Sequence, residues 1–260
     1  MVSAESEAQW IVDKLEPVLS EGLLGLYICG SAVRGEQGPH SDLDLIALTH
    51  ETLTINERQQ LTRTLLQVSG WAGHEQTFPE AAHRRPVEFT TFVLKDIERW
   101  QYPPTVDYRY GEWLRAELVA GGVPRPHEDP DATLFLEDAR QNNQTISGPE
   151  LQNFLSPPPS GSLARACQDT APLLMEELGE DTRNVLMTLA RMAVTVSTET
   201  IVSKDHAARV TASRLLPADA DLLLRAVAEY RGITSVDWRK EASAARGLAG
   251  RLLSLVTSTG

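Results

Sequence analysis

Apolar residues recur along this chain with two periods, and the change of period divides it. Over residues 4–20, Trp10, Ile11, Leu15 and Val18 fall on one stripe at helical spacing, with Ser3 placed as a cap. Leu23 to Cys29 is a short apolar run typical of a buried strand, and Leu43 to Leu48 is a second. Between them, Gly30 to Gly38 reads as a turn and short helix. Ile55 to Val68 is an amphipathic helix. Pro86 to Leu94 (PVEFTTFVL) is β-branched and aromatic, which predicts a third strand. Gly111 to Ala120 and Asp131 to Gln144 read as helices, the first stopped by Gly121, Gly122 and Pro124.

Pro157, Pro158 and Pro159 then interrupt the pattern, since consecutive prolines continue neither a helix nor a central strand. Beyond them only helical periodicity remains: Leu163–Leu178, Asp181–Ser197, Lys204–Leu216, Pro217–Tyr230 and Trp238–Thr257. The expected organisation is an α/β (α+β) domain with a mixed sheet over residues 1–157, followed by an all-α helical bundle over 158–260.

Composition narrows the partners. The 260 residues are 42% hydrophobic and 23% charged, ordinary for a globular protein with ample material for a core. The net charge is −12, from 36 acidic against 24 basic residues. Nucleic-acid binders carry a basic field, so DNA or RNA is not expected as substrate. A negative surface concentrates cationic small molecules, although acidity also serves solubility alone. Cys29 and Cys167 lie far apart without metal-ligand spacing; Cys29 reads as a small buried hydrophobe, and a reducing cytoplasm fits. The N-terminus lacks the charged and apolar regions of a signal peptide, and no apolar run approaches the roughly 18–20 residues that span a membrane. No membrane partner is expected, and a monomer is.

The chemistry is carried by Gly30-Ser31 followed by Ser41-Asp42-Leu43-Asp44. Carboxylates at i and i+2 of a strand share a face, so Asp42 and Asp44 can grip one Mg²⁺ while Leu43 and Leu45 anchor the opposite face. Small residues at 30 and 31 let backbone N–H groups and a hydroxyl approach a triphosphate. This is the signature of nucleotidyltransferases. Glu88, amid the apolar third strand, would by itself read as a solvent-facing residue of an edge strand. Beside an Asp-x-Asp pair it reads as the third carboxylate, a general base for an acceptor hydroxyl and a further Mg²⁺ ligand.

Four stretches then carry a resemblance: Leu26–Asp44, Gly111–Arg115 (GEWLR), Ala139-Arg140-Gln141 and Asp181–Arg191 (DTRNVLMTLAR). In order through nearly the whole chain, they resemble the aminoglycoside (3'')(9) adenylyltransferases, which inactivate streptomycin and spectinomycin. The resemblance implies a nucleotidyltransferase domain joined to a helical bundle, with ATP and drug held between them. It implies that Ser31 contacts phosphate with Ser41 nearby, and that Asp42 and Asp44 hold Mg²⁺. Glu88 would be the base, and Arg191, Lys204 and Tyr230 would hold the nucleotide phosphates. Trp113 and Asp181 would contact the drug, with Asn184 a further candidate. Read without the resemblance, Trp113 is an inter-domain core residue and Asp181 a helix N-cap.

The sequence departs from the dual-specificity members at two positions. Those enzymes carry an indole nine residues, and a second acid four residues, before the aspartate matching Asp181; here Pro172 and Glu177 stand there. The resemblance therefore implies a spectinomycin 9-adenylyltransferase with weak or absent streptomycin activity. A dual-specificity enzyme and a protein-modifying nucleotidyltransferase are the alternatives.

Overall fold

The computed structural model describes residues 4–19, 22–34, 41–71 and 84–258, with side chains from Glu7 onward. Ser3 and the 35–40 part of the predicted turn-and-helix lie outside the described residues. The chain divides into two compact units: residues up to Ala132 with Asp138–Pro157, and Thr133–Glu137 with Pro158 onward.

The first unit is built on a five-stranded sheet ordered β5-β3-β2-β1-β7. Its strands are β1 (Leu23–Ile28), β2 (Leu43–Thr49), β3 (Val87–Val93), β5 (Tyr108–Tyr110) and β7 (Gln144–Ser147). β2 and β3 run parallel; β1 is antiparallel to β2 and β7, and β3 to β5. A parallel pair needs a crossover, supplied by α3 (Ile55–Val68). Thr54 starts that helix with a capping box: Glu57 N donates to Thr54 Oγ1 at 3.3 Å, and Thr54 N to Glu57 Oε2 at 2.6 Å. A separate two-stranded ribbon pairs β4 (Thr105–Val106) with β6 (His127–Glu128).

Helix α1 (Ala4–Leu19) and α3 cover one face of the sheet. Ile11 and Leu15, on the stripe predicted from the sequence, join Leu43, Leu45, Leu61, Leu65 and Phe89 in one buried cluster. The other face is apolar too, with Tyr27, Ile46, Leu48 and Phe92 fully buried. β3 lies between β2 and β5, so the reading of Glu88 as an edge-strand residue is corrected.

Short segments differ from the sequence pattern. Helix α2 is one turn, Ser31–Arg34. The 111–120 stretch is a 3-10 turn, Glu112–Leu114, followed by α5 (Arg115–Val119), with α4 (Leu94–Ile97) preceding it in the chain. Helix α6 (Asp131–Gln141) ends before Gln144, whose residues enter β7 instead.

The second unit is helical: α7 (Ser162–Leu174), α8 (Thr182–Thr198), α9 (Lys204–Ala212), α10 (Pro217–Tyr230) and α11 (Ala242–Thr257). Every other helix of this set packs on α8, whose Val185, Leu186, Leu189 and Ala190 are fully buried. Among the described residues no helix is long and apolar enough to cross a membrane.

Candidate active site

In each seven-residue strand β2 and β3, one position is half-exposed and the other six are buried. Those positions are Asp44 and Glu88, and they are direct partners in the parallel register. Directly paired residues project from the same face of a sheet, about 5 Å apart, so two carboxylates stand side by side at the open end of an otherwise apolar pair of strands.

Two contacts join the strands where they begin, and a third ties the start of β3 to the end of α3. Leu43 N donates to Pro86 O at 2.8 Å. Arg85 Nη1 donates to Ser41 O at 3.3 Å. Val87 N donates to Ser69 Oγ at 3.0 Å. Asp42 lies half-buried one residue ahead of β2.

Gly30 forms the floor beneath Asp44. Its φ is +69°, and a Cβ built there would come within 1.8 Å of Asp44 Oδ2. Two independent constraints therefore demand glycine: the left-handed backbone and the carboxylate resting on its Cα. Gly30→Ala should displace the Asp44 carboxylate, and displacements on the scale of 1 Å cost about 10²-fold in rate. Steady-state turnover by the folded variant checks this; wild-type turnover would remove Gly30 from the site.

Cys29, just before it, donates its N–H to Asp44 O at 2.9 Å. Its thiol is held well above its ordinary pKa, first by complete burial, then by the Asp44 charge, with Arg34 opposing. It is fully buried, as expected of a small hydrophobe at the end of an apolar strand. Ser31 is the first residue of α2, whose last residue, Arg34, pairs with Asp138.

Mg²⁺ prefers oxygen ligands and is held by one or two carboxylates, with waters and substrate phosphates completing its shell. The Asp44–Glu88 pair fits that demand. Among the described residues no group of three His, Cys, Asp or Glu is arranged to hold a metal.

Trp113 lies on the 3-10 turn and is 60% exposed. Its ring folds over Gly111, where an added Cβ would meet the indole at 2.2 Å. Glu112 beside it accepts from Ser69 Oγ at 2.5 Å and Tyr110 OH at 2.8 Å, and pairs with Arg115. Burial, then the Glu112 charge, push the Tyr110 hydroxyl far above its usual pKa, so it stays protonated and donates.

In the helical unit, Asp181 is the exposed N-cap of α8, accepting from Asn184 N at 3.1 Å. Capping uses one oxygen; the carboxylate has another. Lys204 Nζ donates to Asn184 Oδ1 at 2.6 Å, which unites two of the predicted residues. Arg191 follows Asn184 by seven residues, on the same stripe of α8. Tyr230 ends α10, and its neighbour Arg231 donates from Nε to Asp205 Oδ2 at 3.0 Å, tying that end to the first turn of α9 beside Lys204. Asp181 also lines a shallow cleft of about 550 Å³ with Arg183, Asp237 and Trp238, whose Nε1 donates to Glu229 at 2.7 Å.

The sequence pattern missed Ser69, Arg85 and Arg34. Each works through a partner 18 or more residues away, as Ser69 does with Val87, and no local signal marks such contacts.

A mixed sheet bearing paired carboxylates beyond a Gly-Ser turn, followed by a helical unit, is a nucleotidyltransferase fold with a C-terminal helical domain. Residues 153–254 match the family described as aminoglycoside adenylyltransferase, C-terminal domain. The chain is 36% identical over 237 residues to the spectinomycin 9-adenylyltransferase of Campylobacter jejuni, covering 90% of this chain and 89% of that one. It is 32% identical over 224 residues to the aminoglycoside (3'')(9) adenylyltransferase of Klebsiella pneumoniae, covering 85% and 83%. The crystal structure of the spectinomycin adenyltransferase of Enterococcus faecalis with ATP and spectinomycin superposes with a TM-score of 0.89 at 26% identity, over 97% of this chain and 98% of that one. This chain belongs to the aminoglycoside adenylyltransferase family.

Proposed function

We propose that the protein transfers AMP from ATP to the 9-hydroxyl of spectinomycin, acting as a cytoplasmic monomer. The observation that carries this reading is the Asp44–Glu88 pair, registered across parallel strands with Asp44 resting on Gly30.

Asp42, Asp44 and Glu88 are the residues proposed to hold Mg²⁺. Bound there with ATP, Mg²⁺ supplies charge neutralisation on the triphosphate. Ser31, at the Gly-Ser turn, and Ser41 offer hydroxyls to the phosphates. Arg191, Lys204 and Tyr230 add the cations and phenol that phosphate oxygens accept from. Trp113 presents its exposed face to the drug rings. Asp181, with Asn184 beside it, takes the ammonium groups through a charge-assisted contact. Glu88 accepts the proton of the 9-hydroxyl, whose oxygen attacks the α-phosphorus. The bond to the β-phosphate oxygen breaks, pyrophosphate leaves, and the drug carries AMP.

Streptomycin is proposed as a poor acceptor. Pro172 lies exposed in the last turn of α7 and Glu177 is exposed in the connection to α8. A proline presents no aromatic face to a sugar. Expressed in a susceptible host, the protein should raise the inhibitory concentration of spectinomycin and leave that of streptomycin nearly unchanged. The double variant Pro172→Trp, Glu177→Asp should add streptomycin protection. Robust streptomycin protection by the unaltered chain would refute the specificity.

A further inference from the structure

Ser69 is fully buried at the C-terminal end of α3, and its hydroxyl is used twice. It accepts from Val87 N at 3.0 Å and donates to Glu112 Oε1 at 2.5 Å. Val87 precedes Glu88, the proposed base; Glu112 precedes Trp113, the proposed wall for the drug. One hydroxyl therefore joins the start of the base-bearing strand to the turn bearing the indole.

Both ends are held from further sides. Gly70 N donates to Arg85 O at 2.9 Å, which ties the same corner again to the approach to β3. Glu112 Oε1 also accepts from Tyr110 OH at 2.8 Å and Arg115 Nη2 at 3.0 Å, while Oε2 pairs with Arg115 Nε. Arg115 Nη1 donates to Leu66 O at 3.2 Å, and its guanidinium lies 4.6 Å from the centre of the Trp71 ring. A serine hydroxyl offers one hydrogen and two lone pairs. Here its hydrogen goes to a carboxylate, which cannot donate back, so the direction of the relay is fixed. A half-buried glutamate with this many donors has little freedom to reorient.

We infer that Ser69 and Glu112 are positioning residues for the transfer reaction: their buried hydroxyl–carboxylate relay sets Glu88 and Trp113 at a fixed separation. The inference rests on the roles proposed above for those two residues.

Ser69→Ala removes the relay while leaving the core volume nearly intact. It should lower kcat/KM for spectinomycin by about tenfold or more, as misplacement of reacting groups does, with KM for ATP within about twofold of wild type. The Trp113 contribution to fluorescence, taken as the difference between each enzyme and its Trp113→Phe counterpart, should shift. Combined with Trp113→Ala, the loss should be smaller than the product of the two single losses, because the residues act through one contact. Glu112→Gln keeps an oxygen for Ser69 and Tyr110 but drops the charge on Arg115; a change in the same direction is expected, and it serves where Ser69→Ala folds poorly. Unchanged acceptor kcat/KM and emission in these variants, or multiplicative losses in the cycle, overturn the inference. An enzyme that transfers nothing to spectinomycin would defeat the proposed function instead. The emission shift then decides the relay: its presence supports the coupling and its absence rejects it.

Discussion

Glu88→Gln is expected to lower kcat by about 10²–10⁴-fold, the usual contribution of a positioned general base, while ATP and spectinomycin still bind. The substitution keeps the shape of a side chain whose strand neighbours Val87 and Phe89 are fully buried, so the sheet is retained. It removes the negative charge that accepts the hydroxyl proton. Equilibrium binding of each ligand and single-turnover kinetics separate the effects: a base is needed only in the chemical step, whereas a residue used for binding would raise the dissociation constants. A Glu88→Gln enzyme with near wild-type kcat would remove Glu88 from the base role.

Asp107→Ala is expected to destabilise the protein by about 3–5 kcal/mol, the cost of stranding one partner of a buried ion pair. Asp107 and Arg58 are both nearly inaccessible, with Arg58 Nη2 2.7 Å from Asp107 Oδ1. Thr52 Oγ1 and Leu53 N also donate to the Asp107 carboxylate, at 2.5 and 3.0 Å. Arg58 Nε bonds Leu53 O at 2.9 Å. This cluster holds α3 to the segment entering β5, and α3 is the crossover that places β3 beside β2. With Asp107 gone, the guanidinium stays buried with its charge uncompensated. At roughly 2–4 °C per kcal/mol for a protein of this size, the melting temperature should fall by roughly 6–20 °C. Removing both charges with Arg58→Met, Asp107→Leu should recover much of the loss. A single variant melting within 2 °C of wild type, on the order of 1 kcal/mol or less, would contradict this account.

Much of the fold was legible because long elements repeat their period several times. Helix α3 spans the predicted residues Ile55–Val68, and α10 spans Pro217–Tyr230. Short elements offer no such repetition. β5 has three residues and β7 four, too few for alternation to register. The helical pattern runs on to Gln144 because nothing local reveals that Gln144 and the residues after it pair with β1. The 3-10 turn at Glu112 follows the same logic: its shape depends on Ser69, Tyr110 and Arg115 gathering around one carboxylate.

The site was legible as chemistry and not as geometry. Asp42, Asp44 and Glu88 announce nucleotidyl transfer through residue type and spacing. Whether Glu88 stands on an edge or an interior strand, and opposite which residue, depends on strand order, which the local sequence does not encode. The contact of Asp44 with Gly30 is hidden for the same reason. The capping use of Asp181 was legible in the sequence and is present in the structure.

Incubation of the purified protein with ATP, Mg²⁺ and equimolar spectinomycin and streptomycin, followed by mass spectrometry of both drugs, tests the central claim most directly. The account predicts one adenylyl group added to spectinomycin, released pyrophosphate in equal amount, and streptomycin essentially unmodified. Unmodified spectinomycin under conditions where ATP binds would contradict it.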